Sequence, residues 1–325
     1  MNPQCANAAA TPLVPTPHAR SCLPMTCSVR RTPGTLWLWA SMALLVLALL
    51  LADAVLLAPR AAEQEPLTLG ILPRRNATLT TELFTPLAEY LSRGLDREVR
   101  LVTSKDFETF QQDVMASRFD IVHYNPFHAV RSSDQYRVIA HNEEFGRGTV
   151  AGALYVNKNS GITRVEQLRG QKIIFGGGKD AMMSYILPRY LLLQAGLEPG
   201  DYQEMFAKSP PNSLIALSYN EAQASGAGDI LIDLKVVKDS VDTRQMTHLA
   251  VTEQLLHLPW GVRRSMPDDL AIKIQTLLTE LPATAPGQAI LKRAQLTGIG
   301  WADDDSYTPH RHIIDLVMPP SQQRH

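Results

Sequence analysis

Residues 172–196 read KIIFGGGKDAMMSYILPRYLLLQAG, and this stretch decides the fold class. Ile173, Ile174 and Phe175 make a short apolar run of the kind that fills a buried strand. Gly176, Gly177 and Gly178 end it, and glycine there permits positive φ and close approach of a ligand to the backbone. From 181 to 195 the spacing turns helical, with Asp180 placed as the N-cap and Gly196 as the C-terminal cap. Pro188 falls inside and is expected to kink that helix or shorten its first part. Neither G-x-x-x-x-G-K-[ST] nor G-x-G-x-x-G is spelled here, so a nucleotide phosphate loop is not indicated.

Strand, loop and helix recur outward from this point. Strands are expected at 67–72, 98–103, 120–123, 153–156 and 230–234, with a return crossing near 249–252. Helices are expected at 80–91, where Leu83, Leu87 and Leu91 form one stripe, and at 107–117, 165–168, 268–281 and 286–296. Alternating apolar runs and amphipathic segments define an α/β protein. In both halves a strand enters a polar or glycine loop that opens a helix: at Pro73, Arg74, Arg75 and Asn76, and at Gly176 to Asp180. Helix starts carry unpaired N–H groups and a positive dipole end, so two facing each other across a cleft would clamp a polar or anionic group. The strand at 120–123 ends in Tyr124, Asn125, Pro126, Phe127 and His128, polar and aromatic groups at the edge where open α/β sheets bind ligands.

Bulk properties narrow the class. The 325 residues are 45% apolar and 19% charged with a net charge of −1, which lacks the basic footprint of a nucleic-acid binder. Residues 36–57 (LWLWASMALLVLALLLADAVLL) are apolar except for Asp53 and follow Arg30 and Arg31, with no acidic residue upstream. This is the pattern of an export signal or a membrane anchor. Ala52-Asp53-Ala54 offers a small-x-small cleavage site; uncleaved, the run is long enough to span a bilayer. Met25 is an alternative initiator that would give a more usual signal length. Residues 1–35 thus read as a basic leader, 36–58 as signal or anchor, and 59–65 as a linker, which places the body in the periplasm.

The three cysteines, Cys5, Cys22 and Cys27, all precede the apolar run, so the exported part has no disulfide, thiolate metal site or cysteine nucleophile. His123 with His128, and His310 with His312, lack neighbouring cysteines or clustered carboxylates, and no metal site is expected. No G-x-S-x-G elbow is present. Neither a cofactor nor an enzymatic activity is indicated.

Four stretches carry a family resemblance: LTLGILP, FDIVHYNPFHAV, NKNSGITRVEQLRGQKIIFGGGKDAMMSYILPRYLLLQAGL, and a lobe-crossing region ending in LPWGVRRSMP. Residues 66 to about 318 resemble the phosphate, phosphite and phosphonate-binding proteins of ABC transporters, the PhnD-like family of type II periplasmic binding proteins. The resemblance implies two α/β lobes, one from 67–146 plus 253–318 and the other from 147–252, with hinge strands near Val150 and Ala250. It implies a small polar or anionic ligand held as the lobes close, and an ABC permease as partner. A tethered sensor signalling to a membrane protein would use the same fold. The ligand-binding residues expected are Arg75, Asn76, Tyr124 and Asn125 from one lobe, and Gly177, Gly178, Lys179, Ala181, Met182, Met183 and Ser184 from the other.

This chain departs from the family where the ligand is held. The family's Ser-Thr-Ser-Gly run at the second-lobe helix start corresponds to Ala181, Met182, Met183 and Ser184, its Gly before Pro to Asn125, and its following His to a histidine-free Ser209-Pro210-Pro211-Asn212. Loss of charge-assisted donors predicts that simple phosphonates bind no better than ~0.1 mM, about −5 kcal/mol.

Overall fold

The structure is a computed structural model that describes residues 64–319, together with Met42, Leu44 and Leu45 of a helical stretch. The expected leader and most of the apolar segment lie outside the described residues.

The first sheet is built around three parallel strands, β1 (Leu67–Ile71), β2 (Val99–Thr103) and β3 (Ile121–His123). Two crossover helices join them, α1 (Ala77–Leu95) and α2 (Phe107–Met115). Asn76 caps α1, its Oδ1 accepting from Leu79 N at 2.9 Å, and Asp106 caps α2 in the same way at 2.8 Å. α1 buries Leu83, Phe84, Leu87, Ala88, Leu91 and Leu95, the one-sided stripe that its sequence spacing predicts. A short helix α3 (Pro126–Arg131) and strand β4 (Tyr136–Glu143) follow.

The chain then crosses through β5 (Thr149–Val150) into a second sheet containing β6 (Gly152–Asn157) and β7 (Lys172–Gly176). A single π-helical turn, Met182–Ile186, leads into α4 (Leu187–Gln194). Strand β8 (Gln203–Ala207), helix α5 (Pro210–Ser218), strand β9 (Ala224–Gly228), helix α6 (Lys235–Lys238) and strand β10 (Met246–Val251) complete this half. The return runs through β11 (Leu255–Leu256) to β12 (Pro259–Arg263), α7 (Asp268–Glu280), α8 (Ala285–Ala294), β13 (Gly298–Trp301) and α9 (Thr308–Val317).

The strand orders are β13-β4-β12-β3-β1-β2 and β10-β6-β9-β7-β8. Each sheet mixes parallel strands, which demand helical crossovers, with antiparallel ones brought in by the chain's passage between halves. β5 and β11 pair only with each other, Val150 opposite Leu255, and make a two-stranded ribbon between the sheets. The architecture is two α/β lobes with a double crossing, as expected.

Three local expectations are corrected. The second crossing is Leu255–Leu256; Ala250 instead lies in β10, opposite Leu154 of β6. The strand expected at 230–234 is a 3-10 turn, Leu231–Asp233, and the true strand is β9, whose sequence ASGAG carries little apolar signal. The helix expected as one piece from 181 opens with the π turn. Pro188 lacks an N–H and its ring crowds the carbonyl four residues back, so the preceding turn widens: Tyr185 N and Ile186 N both donate to Ala181 O, at 2.9 and 3.1 Å.

The main first-lobe core packs α1, α7 and α8 on the sheet through Leu87, Leu91, Ile274, Leu278 and Leu291. The second-lobe core gathers Leu154, Phe175, Ile186 and Leu192, and it also takes in Phe127, Val130, Ile313 and Ile314 from α3 and α9.

Candidate functional site

Parallel strands place their C-terminal ends at one edge of each sheet, and the loops there converge between the lobes. On the first lobe, β3 delivers Tyr124 and Asn125. Tyr124 is completely buried: its ring meets that of Tyr136 edge-on at 6.1 Å, and a Cβ at Gly261 would lie 2.6 Å from its hydroxyl. Burial raises its phenol far above the ordinary range. Tyr124 therefore belongs to the first-lobe core, with Phe119, Val122 and Tyr136.

Asn125 is the N-cap of α3. Its Oδ1 accepts from Phe127 N at 2.6 Å and His128 N at 3.4 Å, which leaves Nδ2 to reach across and donate to Asp180 O at 3.0 Å. His128, 1% exposed, sets its Nε2 3.2 Å from Asp180 Oδ2. Burial alone would raise the Asp180 carboxyl, but its contact with His128 outweighs burial and holds it below the ordinary carboxylate range. Asp180 is therefore the residue through which the second-lobe loop meets the first lobe. The helix-capping role expected of it is not observed: Ala181 occupies the cap position, and no side chain caps there.

The other second-lobe residues divide by direction. Gly177 has φ 95°, the conformation that calls for glycine. Gly178 sits beside Asp180, where a Cβ would lie 2.8 Å from Oδ1. Lys179 is exposed, with Nζ 3.7 Å from Glu204 Oε2. Met182 is buried in the second-lobe core. The Ser184 hydroxyl donates backward to the Gly176 carbonyl, so its proton is not directed into the cleft. Met183 packs against the apolar clusters of both lobes.

Arg75 and Asn76 lie apart from this junction. Arg75 donates to Gln295 Oε1 of the loop after α8, and Asn76 is committed to α1. Their neighbour Arg74 pairs with the buried Glu144 at 2.5 Å. Burial opposes ionisation of Glu144, but the Arg74 charge prevails and its carboxyl falls to about 2. Next to it, Asn142 Nδ2 lies 2.7 Å from His123 Nε2, and burial pushes that imidazole down to about 3. Asn142 Oδ1 accepts from the buried Trp260 indole at 2.7 Å. A polar network thus underlies the first-lobe edge; His123 and His128 are buried and hydrogen-bonded, whereas His312 is exposed. His310 is buried as well, with Nε2 3.0 Å from Leu256 O.

Sequence reasoning passed over two tying residues. His128 belongs to the polar turn that Asn125 opens, but it is not among the ligand-binding residues expected from the sequence. Asp229 follows β9, accepting from Ala151 N at 3.1 Å, Arg147 Nη2 at 2.7 Å and Gln254 Nε2 at 3.0 Å. It was hidden because 230–234 was read as the strand, one element too late. Among the described residues, no group of three or more His, Cys, Asp and Glu is placed to hold a metal ion, and no helix is long and apolar enough to cross a membrane.

Two α/β lobes, a double crossing and a junction at the C-terminal strand edges define a type II periplasmic binding protein. Solved structures agree with that architecture. A Xanthomonas citri protein bound to ATP superposes with a TM-score of 0.70 at 17% identity, covering 78% of this chain and 98% of that one. PhnD1 from Prochlorococcus marinus in complex with methylphosphonate gives 0.66 at 16% identity, over 78% and 99%. The binding-protein component of an ABC phosphonate transporter from Pseudomonas aeruginosa gives 0.62 at 16%, over 76% and 85%. At such identities the likeness speaks for the fold. The family profile of ABC transporter phosphonate periplasmic substrate-binding proteins matches residues 69–307, and the chain belongs to that family.

Proposed function

We propose that this protein is the receptor of an ABC-type uptake system and binds a small polar or anionic ligand at the junction of its lobes, 67–146 plus 253–318 and 147–252. The observation that carries the reading is the meeting of the two strand-edge loops at Asp180, through Asn125 Nδ2 at 3.0 Å and His128 Nε2 at 3.2 Å. A ligand entering there touches the loop of Gly177, Gly178 and Lys179 and the turn at Ala181 and Met183, with Asn125 facing them. No bond is made or broken; the function is the difference in ligand affinity between separated and apposed lobes, and the apposed form is what the permease recognises.

The family places such receptors outside the cytoplasmic membrane. A periplasm-only reporter fused after residue 320 should be active, and an inactive fusion would refute export. The ligand itself is reached by native mass spectrometry of protein purified without denaturation. A small molecule retained in one-to-one ratio, and shed when Asp180 is replaced by Ala, supports the site. A retained molecule indifferent to that change places binding elsewhere.

A further inference from the structure

The return crossing between the lobes is held from the side by a helix that belongs to both of them. Tyr307, in the 3-10 turn that opens α9, sits in the first-lobe cluster with Tyr124 and Leu258. Ile313, Ile314 and Val317, further along α9, sit in the second-lobe core. His310 lies between these two sets on the same buried face and is 1% exposed. Its Nε2 is 3.0 Å from Leu256 O of β11, and the Tyr307 hydroxyl donates to the next carbonyl, His257 O, at 2.6 Å. The two side chains thus fasten successive carbonyls at a point where the chain passes between lobes.

The hydrogen-bond pattern fixes which proton His310 carries. Nε2 faces a carbonyl, so it bears the N–H and donates, while Nδ1 is buried with no partner among the described residues. A second proton could go only to Nδ1, where it would be a buried donor without an acceptor. The charged groups on the elements around α9 are engaged elsewhere. From α3, His128 meets Asp180 and Arg131 pairs with Asp315 at 2.9 Å; from α4, Arg189 Nη1 donates to the Tyr185 hydroxyl at 3.0 Å. Ahead of α9, Asp304 pairs with Arg264, and on α9 itself Arg311 and His312 are exposed. The Tyr307 ring covers the imidazole at 4.7 Å between centroids. Burial therefore pushes His310 down to about 4, and the Leu256 carbonyl only partly offsets it. His257 differs, because Glu144 favours its charged form while Arg74, His141 and Arg147 oppose it, and its ring belongs to the first-lobe network instead of α9.

We infer that α9 is a splint across the hinge with His310 as its acid-sensitive pin: the neutral ring holds the Leu256 carbonyl, and acid frees the return crossing. When the crossing opens, water reaches the ring and restores its ordinary proton affinity, near 6.5. The closed form cannot take that proton. Acid therefore draws the crossing open, by about tenfold between pH 7.5 and pH 5.5. The inference stands on the fold and does not depend on which ligand the junction holds.

The test is hydrogen–deuterium exchange of the full-length protein at pH 7.5 and 5.5, corrected for the intrinsic exchange rate. It is read at the His257 amide, which donates to Gly148 O at 2.9 Å between the two crossings. In the wild type, protection there should fall about tenfold at the lower pH, while that of Phe175 in β7 changes less than about threefold. His310→Gln keeps an N–H for Leu256 O but cannot be protonated, so it should hold the protection of pH 7.5 and lose most of the fall. Tyr307→Phe removes the other fastening without touching the titrating ring, so protection should drop at both pH values and the tenfold fall should remain. The His310 ring, followed by NMR in the wild type, should stay neutral down to about pH 5, which needs no variant to fold. Equal protection at both pH values, an equal fall at Phe175, a His310→Gln protein that falls as steeply as wild type, or a ring that titrates near 6.5 while the crossing stays protected would each overturn the inference.

Discussion

The Nε2 of His128 lies 3.2 Å from the carboxylate of Asp180, joining a buried residue of the first-lobe turn to the glycine loop of the second. With the Asn125 amide on the Asp180 carbonyl, both polar ends of one residue face the opposite lobe. Such a contact can hold the lobes together only while the glycine loop keeps its shape.

Asp180→Ala should therefore leave His128, 1% exposed, without its partner, while the apolar contacts of Phe127, Val130, Ile313 and Ile314 with the second-lobe core keep the lobes together. The cost is about 1–3 kcal/mol, that of an unsatisfied buried polar group. Urea unfolding should show a lowered midpoint with the radius of gyration unchanged. If the midpoint matches wild type, the contact holds nothing.

Gly178→Val tests the same junction from the loop. Its Cβ would meet Asp180 Oδ1 at 2.8 Å, so the carboxylate must turn away from His128. Retention of the purified ligand should fall at least tenfold while the melting temperature stays within a few degrees, because the loop is not part of a core. A variant that retains ligand as wild type does would clear this loop of any role.

Acid should weaken the first lobe. Burial, with Arg74 nearby, pushes His123 down to about 3, and burial pushes His257 down to about 4, both from an ordinary 6.5. The unfolded chain therefore takes up these protons at a higher pH than the folded one. Their contribution to stability is complete above pH 6.5 and is lost as pH falls toward 3 and 4. Glu144, at about 2 against 4.5, has the same sign and acts between those values. Thermal unfolding should lose midpoint steadily below pH 6.5, and His257→Gln should flatten the upper part of that slope. A midpoint constant from pH 7 to 4 would contradict it.

Gly226→Ala should be destabilising although it adds a single methyl to a strand. That methyl would meet the Phe175 ring at 2.5 Å and Ser184 O at 2.9 Å, a backbone atom that cannot turn aside. Overpacking of this kind costs about 1–3 kcal/mol, readable as a shift in urea midpoint. An unchanged midpoint would mean that the π turn does not press on β9 as the structure has it.

Gly226 also explains why β9 was illegible. A strand that must lie beneath a widened helical turn can carry only small residues, and ASGAG has neither the alternation nor the β-branched content by which strands are recognised. The elements that were legible bury one face against a neighbour of ordinary shape: α1 with its Leu83, Leu87 and Leu91 stripe, and β7 with Ile173, Ile174 and Phe175. The candidate site was half legible for a related reason. Gly177 and Asn125 announce a special backbone and a cap, which are local properties. Whether Tyr124 or Ser184 faces a ligand depends on which way a strand end and a turn are rotated, and both turned inward.

The sequence by itself determined the α/β class, the two strand-to-glycine-or-polar-loop junctions and the family, because periodicity, glycine and proline act within a few residues of where they stand. Only the tertiary structure decided that Asp180 pairs with His128, 52 residues away, and that Met183 touches both lobes. Those contacts join segments from different lobes, and their existence depends on how two packed sheets are set against each other, a relation that no local pattern of side chains encodes.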